Sequence, residues 1–382
     1  MTRIPTTVLV ALLLVGSVAT AATPVAGSQS ASTNNATLQQ DGCSFPFSAT
    51  DATDTEVTVE TEPESVVTLG PASAQTMWEI GARSKVVGTT QYASYLDGAD
   101  STANVSGSGR AFVSVERVVA QEPDLVLAAN IVSDETVQSL RNAGITVYKF
   151  RAASSLEFVT EKTTLTGQLV GACDGANETV DWMETEIQVV QRAAEGQDSP
   201  KALYVFYGTT PGPDTYIDDL VTTAGAENLA ATADLEYTAT GYAQINPEVV
   251  ADMRVEWLLL NDAQPEPRIP ESPAYRNTVA VQQNQTILMQ DELVNQPAPR
   301  SIEVMRNLSQ TWFPDAYAEA NASIRGDAST GAGTTADADS PTATDPLTDT
   351  TTGAATTGGT PGFTLVGAVA ALLAVAAFAR RP

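Results

Sequence analysis

The sequence predicts an α/β protein with two Rossmann-like lobes, each built on a parallel sheet, joined by a single long spine helix. Three observations predict it. First, the chain carries nearly the same unit twice, about 130 residues apart. Glu116, Val118-Val119-Ala120, Pro123-Asp124 and Leu125-Val126-Leu127 are matched by Glu248, Val249-Val250-Ala251, Val255-Glu256 and Leu258-Leu259-Leu260. In each unit a Glu opens a short helical stretch, an acid follows eight positions later, and a fully apolar strand comes next. Second, short apolar runs alternate with helical stretches in both halves, the pattern of parallel sheets covered on both faces. Third, residues 156–196 carry no strand signal, and Val180, Met183, Ile187 and Val190 fall at helical spacing. Two similar lobes imply a cleft between them, a common place for a small ligand.

Each segment follows in order. Residues 1–21 read as a secretory signal: Thr2-Arg3, an apolar run over 8–18, then small Ala19, Ala21 and Ala22, with cleavage near Ala21. No cysteine stands at that junction, which argues against an N-terminal lipid. Residues 22–64 are a polar extension that alternates weakly around 57–59, a short edge strand or hairpin. The first lobe occupies 65–155. Val66-Val67-Thr68-Leu69 is a buried strand stopped by Gly70-Pro71. Residues 73–80 are a helix ended by Gly81, and 86–87 are the next strand. Ser114 caps a helix that ends before Pro123, and residues 125–128 are a strand. A helix over 133–142 closes at Gly144 before a strand over 145–150.

Residues 156–196 read as two helices broken near 171–175, the second being the spine. The second lobe spans 197–325. It has strands over 203–207, 257–260 and 287–289, and a helical stripe of Ile217, Leu220, Val221 and Ala224 stopped at Gly225. Asn246 is an N-cap with Pro247 at the first helical position, and 300–308 form the last helix. Residues 326–360 are mostly Thr, Ala, Gly and Asp with no cation, too poor in apolar groups to fold. They read as an extended stalk and a candidate for O-glycosylation. Residues 361–382 begin with Pro361-Gly362-Phe363, continue as an apolar run to Ala379 and end in Arg380-Arg381.

Composition excludes several functions. The formal net charge is -27, from 46 acids against 19 cations. Phosphate binding needs clustered cations, so nucleic acid is excluded as a partner. Four lysines against fifteen arginines on so acidic a chain fit a very salty medium; an acidic protein from ordinary water is the alternative. There is no histidine, which removes His-dependent triads and the commonest transition-metal ligand. Two cysteines, Cys43 and Cys173, cannot make a tetrahedral thiolate zinc site. They form a disulfide if the chain is exported, and otherwise two free buried thiols. No Gly-x-Ser-x-Gly elbow, P-loop or dinucleotide fingerprint is present, so an α/β-cleft enzyme is the weakest reading. Sequons at Asn35, Asn104, Asn177, Asn284, Asn307 and Asn321 are candidate surface glycan sites.

Two family resemblances add to this reading. The tail resembles the archaeal sorting signal named for its Pro-Gly-Phe tripeptide. That implies archaeosortase processing and a membrane anchor at the C-terminus; a retained single-pass helix gives the same topology. Residues 66–73, then Gly81, Val86-Val87-Gly88, Tyr92-Ala93-Ser94-Tyr95, Glu116 and Pro123-Asp124-Leu125-Val126-Leu127, resemble the solute-binding proteins of ABC importers for cobalamin and ferric siderophores. The similarity covers about residues 60–312. It implies an extracellular, monomeric binder with no cofactor of its own, which hands a ferric siderophore, a corrinoid or haem to an ABC permease and its ATPase.

The resemblance also implies site residues. Glu116 and Glu248 match the acids that dock on permease arginines; a Glu in a first helical turn otherwise only complements the helix dipole. Cleft loops follow the carboxyl ends of the strands. They carry Tyr92, Tyr95 and Arg110 in the first lobe, and Tyr207, Tyr242 and Arg300 in the second. Tyrosine offers a flat apolar face, and arginine pairs with an anionic chelate. Arg110 stands where some cobalamin binders carry an aromatic, which favours an anionic ligand. A surface sensor or adhesin on the same fold is the alternative.

Overall fold

The computed structural model describes residues 43–108, 112–266 and 268–331. The predicted signal peptide, Asn35, Arg110, the sorting tail and the stalk beyond 331 lie outside the described residues. The described chain opens with an antiparallel hairpin, β1 (Phe47–Thr50) and β2 (Glu56–Val59). Asp51 pins its turn to the first lobe. The buried carboxylate accepts from the Thr53 amide and hydroxyl at 2.8 and 2.7 Å, from the Lys149 amide at 3.1 Å and from Arg141 Nη2 at 2.5 Å. Burial pushes this carboxyl upward, but the bonds from Thr53, Lys149 and Arg141 outweigh it and hold the group below its usual range.

The first lobe comprises β3 (Val66–Leu69), α1 (Pro71–Glu79), β4 (Val86–Thr89), β5 (Ala103–Asn104), α2 (Val115–Val119), β6 (Leu125–Ala128), α3 (Asp134–Asn142) and β7 (Val147–Lys149). Its parallel sheet has the order β5-β4-β3-β6-β7. Every residue of the inner strands β3 and β6 is buried, which accounts for their nearly unbroken apolar sequence. One face packs with the hairpin and α1, the other with α2 and α3.

The connection is α4 (Leu156–Val170) followed by α5 (Cys173–Ala194). Leu156 and Val159 lie in the second lobe's core, whereas Leu169 and Val170 lie in the first. After a turn at Gly171 (φ 74°), α5 runs back: Ala176 sits in the first core and Met183, Val189 and Val190 in the second. Both helices therefore bridge the lobes, and the chain passes between them three times. The 22-residue α5 is the longer strut, about 33 Å at helical rise. A Cβ on Gly175 would lie 2.2 Å from the Ile80 carbonyl oxygen, so only glycine lets α5 cross the end of α1 this closely. Cys43 and Cys173 are joined in a disulfide, Cα–Cα 5.6 Å, which ties the N-terminal segment to the start of α5.

The second lobe begins with β8 (Lys201–Val205), β9 (Thr209–Pro211), α6 (Tyr216–Thr223), β10 (Glu227–Asn228), α7 (Leu229–Thr232), β11 (Tyr242–Gln244) and α8 (Pro247–Asp252). It continues through β12 (Trp257–Asn261), α9 (Pro273–Arg276), α10 (Val279–Gln282), β13 (Thr286–Met289) and α11 (Asp291–Val294). Two longer helices close it, α12 (Ser301–Trp312) and α13 (Pro314–Gly331). Its parallel sheet has the order β10-β8-β12-β13, and β9 and β11 form a separate antiparallel ribbon.

The two acids of the repeated unit do the same work in each lobe. Asp124 Oδ2 accepts from the Glu64 and Ser65 amides at 2.9 Å, at the entry to β3. Glu256 Oε2 accepts from the Lys201 amide at 3.1 Å, at the entry to β8. Each acid satisfies the start of the strand that pairs with its own.

Helix α13 is absent from the sequence reading, which ends the last helix at 308 and opens the stalk at 326. It packs on α5, where the buried Glu186 accepts from the Tyr317 hydroxyl at 3.2 Å and pairs with Arg325. Among the described residues no helix is long and apolar enough to cross a membrane.

Candidate functional site: an interlobe cleft and two exposed acids

The carboxyl ends of strands from both lobes converge on a cavity of about 690 Å³. Asn130 and Ile131 enter it from the end of β6, and Ala152 to Ser154 from the segment after β7. The second lobe contributes Asp214 to Tyr216 ahead of α6, Thr238 to Tyr242 around β11, and Asn295 and Pro297 after α11. Its polar side chains are mostly amides and hydroxyls, among them Asn130, Ser154, Thr215, Thr238, Thr240, Tyr242 and Asn295, set among apolar residues. Asp214 is the one carboxylate among the described lining residues, and no Lys or Arg is among them. Ile131, 60% exposed, gives the cavity an apolar edge. Burial pushes the Tyr242 phenol upward, so at neutral pH it is an un-ionised hydrogen-bonding group.

Of the predicted ligand residues in the described chain, Tyr242 lines this cavity and the others stand elsewhere. Tyr92 is half exposed after β4 and stacks on Phe112, with ring centroids 5.3 Å apart and planes 13° apart. Tyr207 stands at the tip of the β8–β9 turn in a left-handed conformation (φ 49°) that a bulky residue seldom adopts. Its ring is exposed and packs edge-on against Phe206.

Arg300 takes part in a contact between the lobes, and Tyr95 supports that contact from within the first lobe. Gln75, on α1 and fully buried, donates through Nε2 to the Tyr95 hydroxyl at 3.0 Å and to the Glu292 carbonyl at 3.3 Å. Its Oε1 accepts from the Arg300 amide at 3.0 Å, and Arg300 Nε donates to Glu303 at 3.0 Å. Desolvation pushes the Tyr95 phenol up to about 12. Beside this clasp, Lys162 of α4 donates to the Pro297 carbonyl at 3.1 Å and lies 5.2 Å from the Phe150 ring. Burial depresses its ammonium to about 8. Arg300, expected to pair with an anionic ligand, has its guanidinium paired with Glu303 in this structure.

Glu116 and Glu248 are exposed, one on each lobe, near the start of short helices that lead into β6 and β12. Ser114 caps α2, accepting from the Arg117 amide at 3.3 Å and donating to Glu116 Oε2 at 3.0 Å. The residue's own amide and the Ser114 hydroxyl hold the Glu116 carboxyl below its usual range. Asn246 caps α8, accepting from the Glu248 and Val249 amides at 3.1 and 3.2 Å. Of the sequons, Asn104, Asn177, Asn284 and Asn307 are exposed. Asn321 is partly buried and accepts from Arg325 at 2.7 Å.

Sequence reasoning missed Asn130, Ser154, Thr215, Asn295 and the clasp residue Gln75. Asn130, Ser154 and Thr215 follow strand ends and Asn295 follows α11, but short polar residues are ordinary there and carry no distinguishing pattern. Gln75 is a polar residue on the buried face of α1, and that interruption was the available signal.

Comparison with known proteins places this architecture. The family model described as periplasmic binding protein matches residues 66–293. A cobalamin-binding protein of Halobacterium salinarum is 38% identical over 279 residues, covering 71% of this chain and 75% of that protein. An uncharacterized ABC transporter substrate-binding lipoprotein of Bacillus subtilis, YvrC, is 26% identical over 285 residues, covering 72% and 88%. The periplasmic heme-binding protein RhuT from Roseiflexus sp. RS-1 shares the fold, with a TM-score of 0.58 at 22% identity, over 68% of this chain and 99% of that one. The chain belongs to the periplasmic binding protein family, and it is a two-lobed solute-binding protein.

Proposed function

We propose that this protein binds a corrinoid of the cobalamin type outside the cell and delivers it to an ABC importer. One observation carries the choice of ligand: among the described residues the polar groups lining the cleft are amides, hydroxyls and the single carboxylate of Asp214, with no cation. Haem carries propionates and many ferric siderophores are anionic, so either would leave charge unpaired in such a cleft. A corrinoid presents carboxamides around a flat ring, which suits Asn130, Thr238, Thr240, Tyr242 and Asn295. The 38% identical relative named as a cobalamin-binding protein supports the same ligand. This departs from the sequence reading, in which Arg110 and Arg300 favour an anionic chelate.

In this reading Glu116 and Glu248 present one carboxylate per lobe to permease cations, setting orientation and encounter rate more than affinity. Secretion by the leader, a C-terminal anchor left by the Pro-Gly-Phe signal, glycans on exposed sequons and a salty habitat complete the proposal. The protein works as a monomeric binder rather than as an enzyme.

The test is a spectroscopic titration of the purified chain with cyanocobalamin, hemin and a ferric catecholate. Cyanocobalamin should bind tightest, and Tyr242→Ala should weaken it about tenfold, or 1.4 kcal/mol. Preferred binding of hemin or the ferric catecholate would overturn the assignment.

A further inference from the structure

Beside Glu248 the surface opens into a second cavity of about 400 Å³, between α8 and α9. Its walls are mainly apolar: Pro247, Val250, Ala251 and Met253 on one side, Pro273 and Ala274 on the other. Ser272 lines it, and its Oγ is buried without a hydrogen-bond partner. Glu248 stands at the rim, exposed, with its amide rather than its carboxylate committed to Asn246. The groove thus offers an apolar floor and a free negative charge side by side.

We propose that this groove seats an apolar side chain of the importer's permease, next to the cation that Glu248 pairs. The occupant is a permease loop carrying an arginine flanked by a bulky aliphatic or aromatic residue. The apolar residue fills the space between Val250, Met253 and Pro273, and the guanidinium meets Glu248. The proposal rests on Glu248 being a docking acid and adds to it a specificity pocket on the second lobe. Charge complementarity selects this occupant: an acid at the mouth of an apolar groove favours a cationic loop over a neutral peptide. Apolar seating also keeps its strength in concentrated salt, where the Debye length falls to about 3 Å at 1 M and the ion pair is screened. The first lobe shows a related arrangement, with Val119 exposed one helical turn beyond Glu116.

The experiment uses the full chain in cells lacking the native gene, with uptake of labelled cyanocobalamin as the readout. Ala251→Phe fills the groove from an exposed position, so it should leave Tm and cyanocobalamin affinity unchanged and lower uptake at least tenfold. Ala251→Ser, which leaves the groove open, should transport normally. Should Ala251→Phe lower Tm, Asn277→Trp at the opposite rim makes the same test. Glu248→Lys separates the two ideas. If it abolishes uptake while the groove-filling variants stay within twofold of wild type, the groove is not a seat and the docking acid stands. If it transports normally, the docking reading falls and this proposal with it. Dimers of the purified protein that are lost on Ala251→Phe would give the groove to a second copy and overturn the proposal.

Discussion

Replacing Gln75 with leucine should loosen the two lobes from each other. The side chain is fully buried on α1, and two of its three hydrogen bonds cross to the second lobe. Leucine fills a similar volume, so the packing term is small and the polar terms decide the outcome. The Arg300 amide loses its acceptor, which costs about 1–3 kcal/mol for a desolvated donor. The Glu292 carbonyl lies on an exposed residue and the Tyr95 ring is partly exposed; water replaces much of what each loses, for about 1 kcal/mol together. The sum is about 2–4 kcal/mol, or about 3–7 °C in Tm for a chain of this size. Gln75→Glu keeps the acceptor for Arg300 and loses the donor, so it should fall between wild type and leucine. Calorimetry gives the Tm, and spin labels on the two lobes give the width of the interlobe distance distribution. A leucine variant within 1 °C of wild type, with an unbroadened distribution, would refute the claim that this contact holds the lobes.

Two further predictions concern the same junction. Lys162 has its ammonium depressed to about 8 in the folded protein, against about 10.4 when unfolded. Between those values the unfolded chain binds more protons, so this residue makes stability rise as pH rises from about 8 to 10.4. Lys162→Met should remove that rise and stabilise the protein by about 1–2 kcal/mol at pH 7, as urea unfolding across pH will show. Cys43→Ser with Cys173→Ser opens a loop spanning 130 residues and should cost about 4 kcal/mol, read from Tm, with cyanocobalamin affinity unchanged in the folded fraction.

Much of the fold was legible because its signals are local. The apolar runs at 66–69 and 125–128 coincide with β3 and β6, since a strand buried on both faces has no room for polar residues. Ser114, Ser133 and Asn246 mark helix starts because each accepts a backbone N–H of the following turn. The cleft was harder to read. Its lining comes from five separated segments, and a Thr or Asn after a strand looks the same whether it faces ligand or water. Tyr95 and Arg300 were selected for their chemistry, but their partner Gln75 lies more than 200 residues from Arg300 and no spacing rule connects them. Helix α13 did leave a trace: Pro314 at its first position, Asp315 in its first turn, and Tyr317, Ala320 and Ile324 at helical intervals. Its low hydrophobicity hid it beside the Thr-rich stretch that follows.

The threefold passage of the chain between the lobes has a consequence for supply. Two antiparallel struts and a lateral clasp resist the wide jaw motion by which many receptors advertise that they are full. A transporter facing this protein meets almost the same outline whether it arrives laden or vacant. Vacant copies must then occupy the transporter's gate as rivals of laden ones, and at scarce solute the import rate will follow the ratio of the two populations rather than the number of receptors displayed.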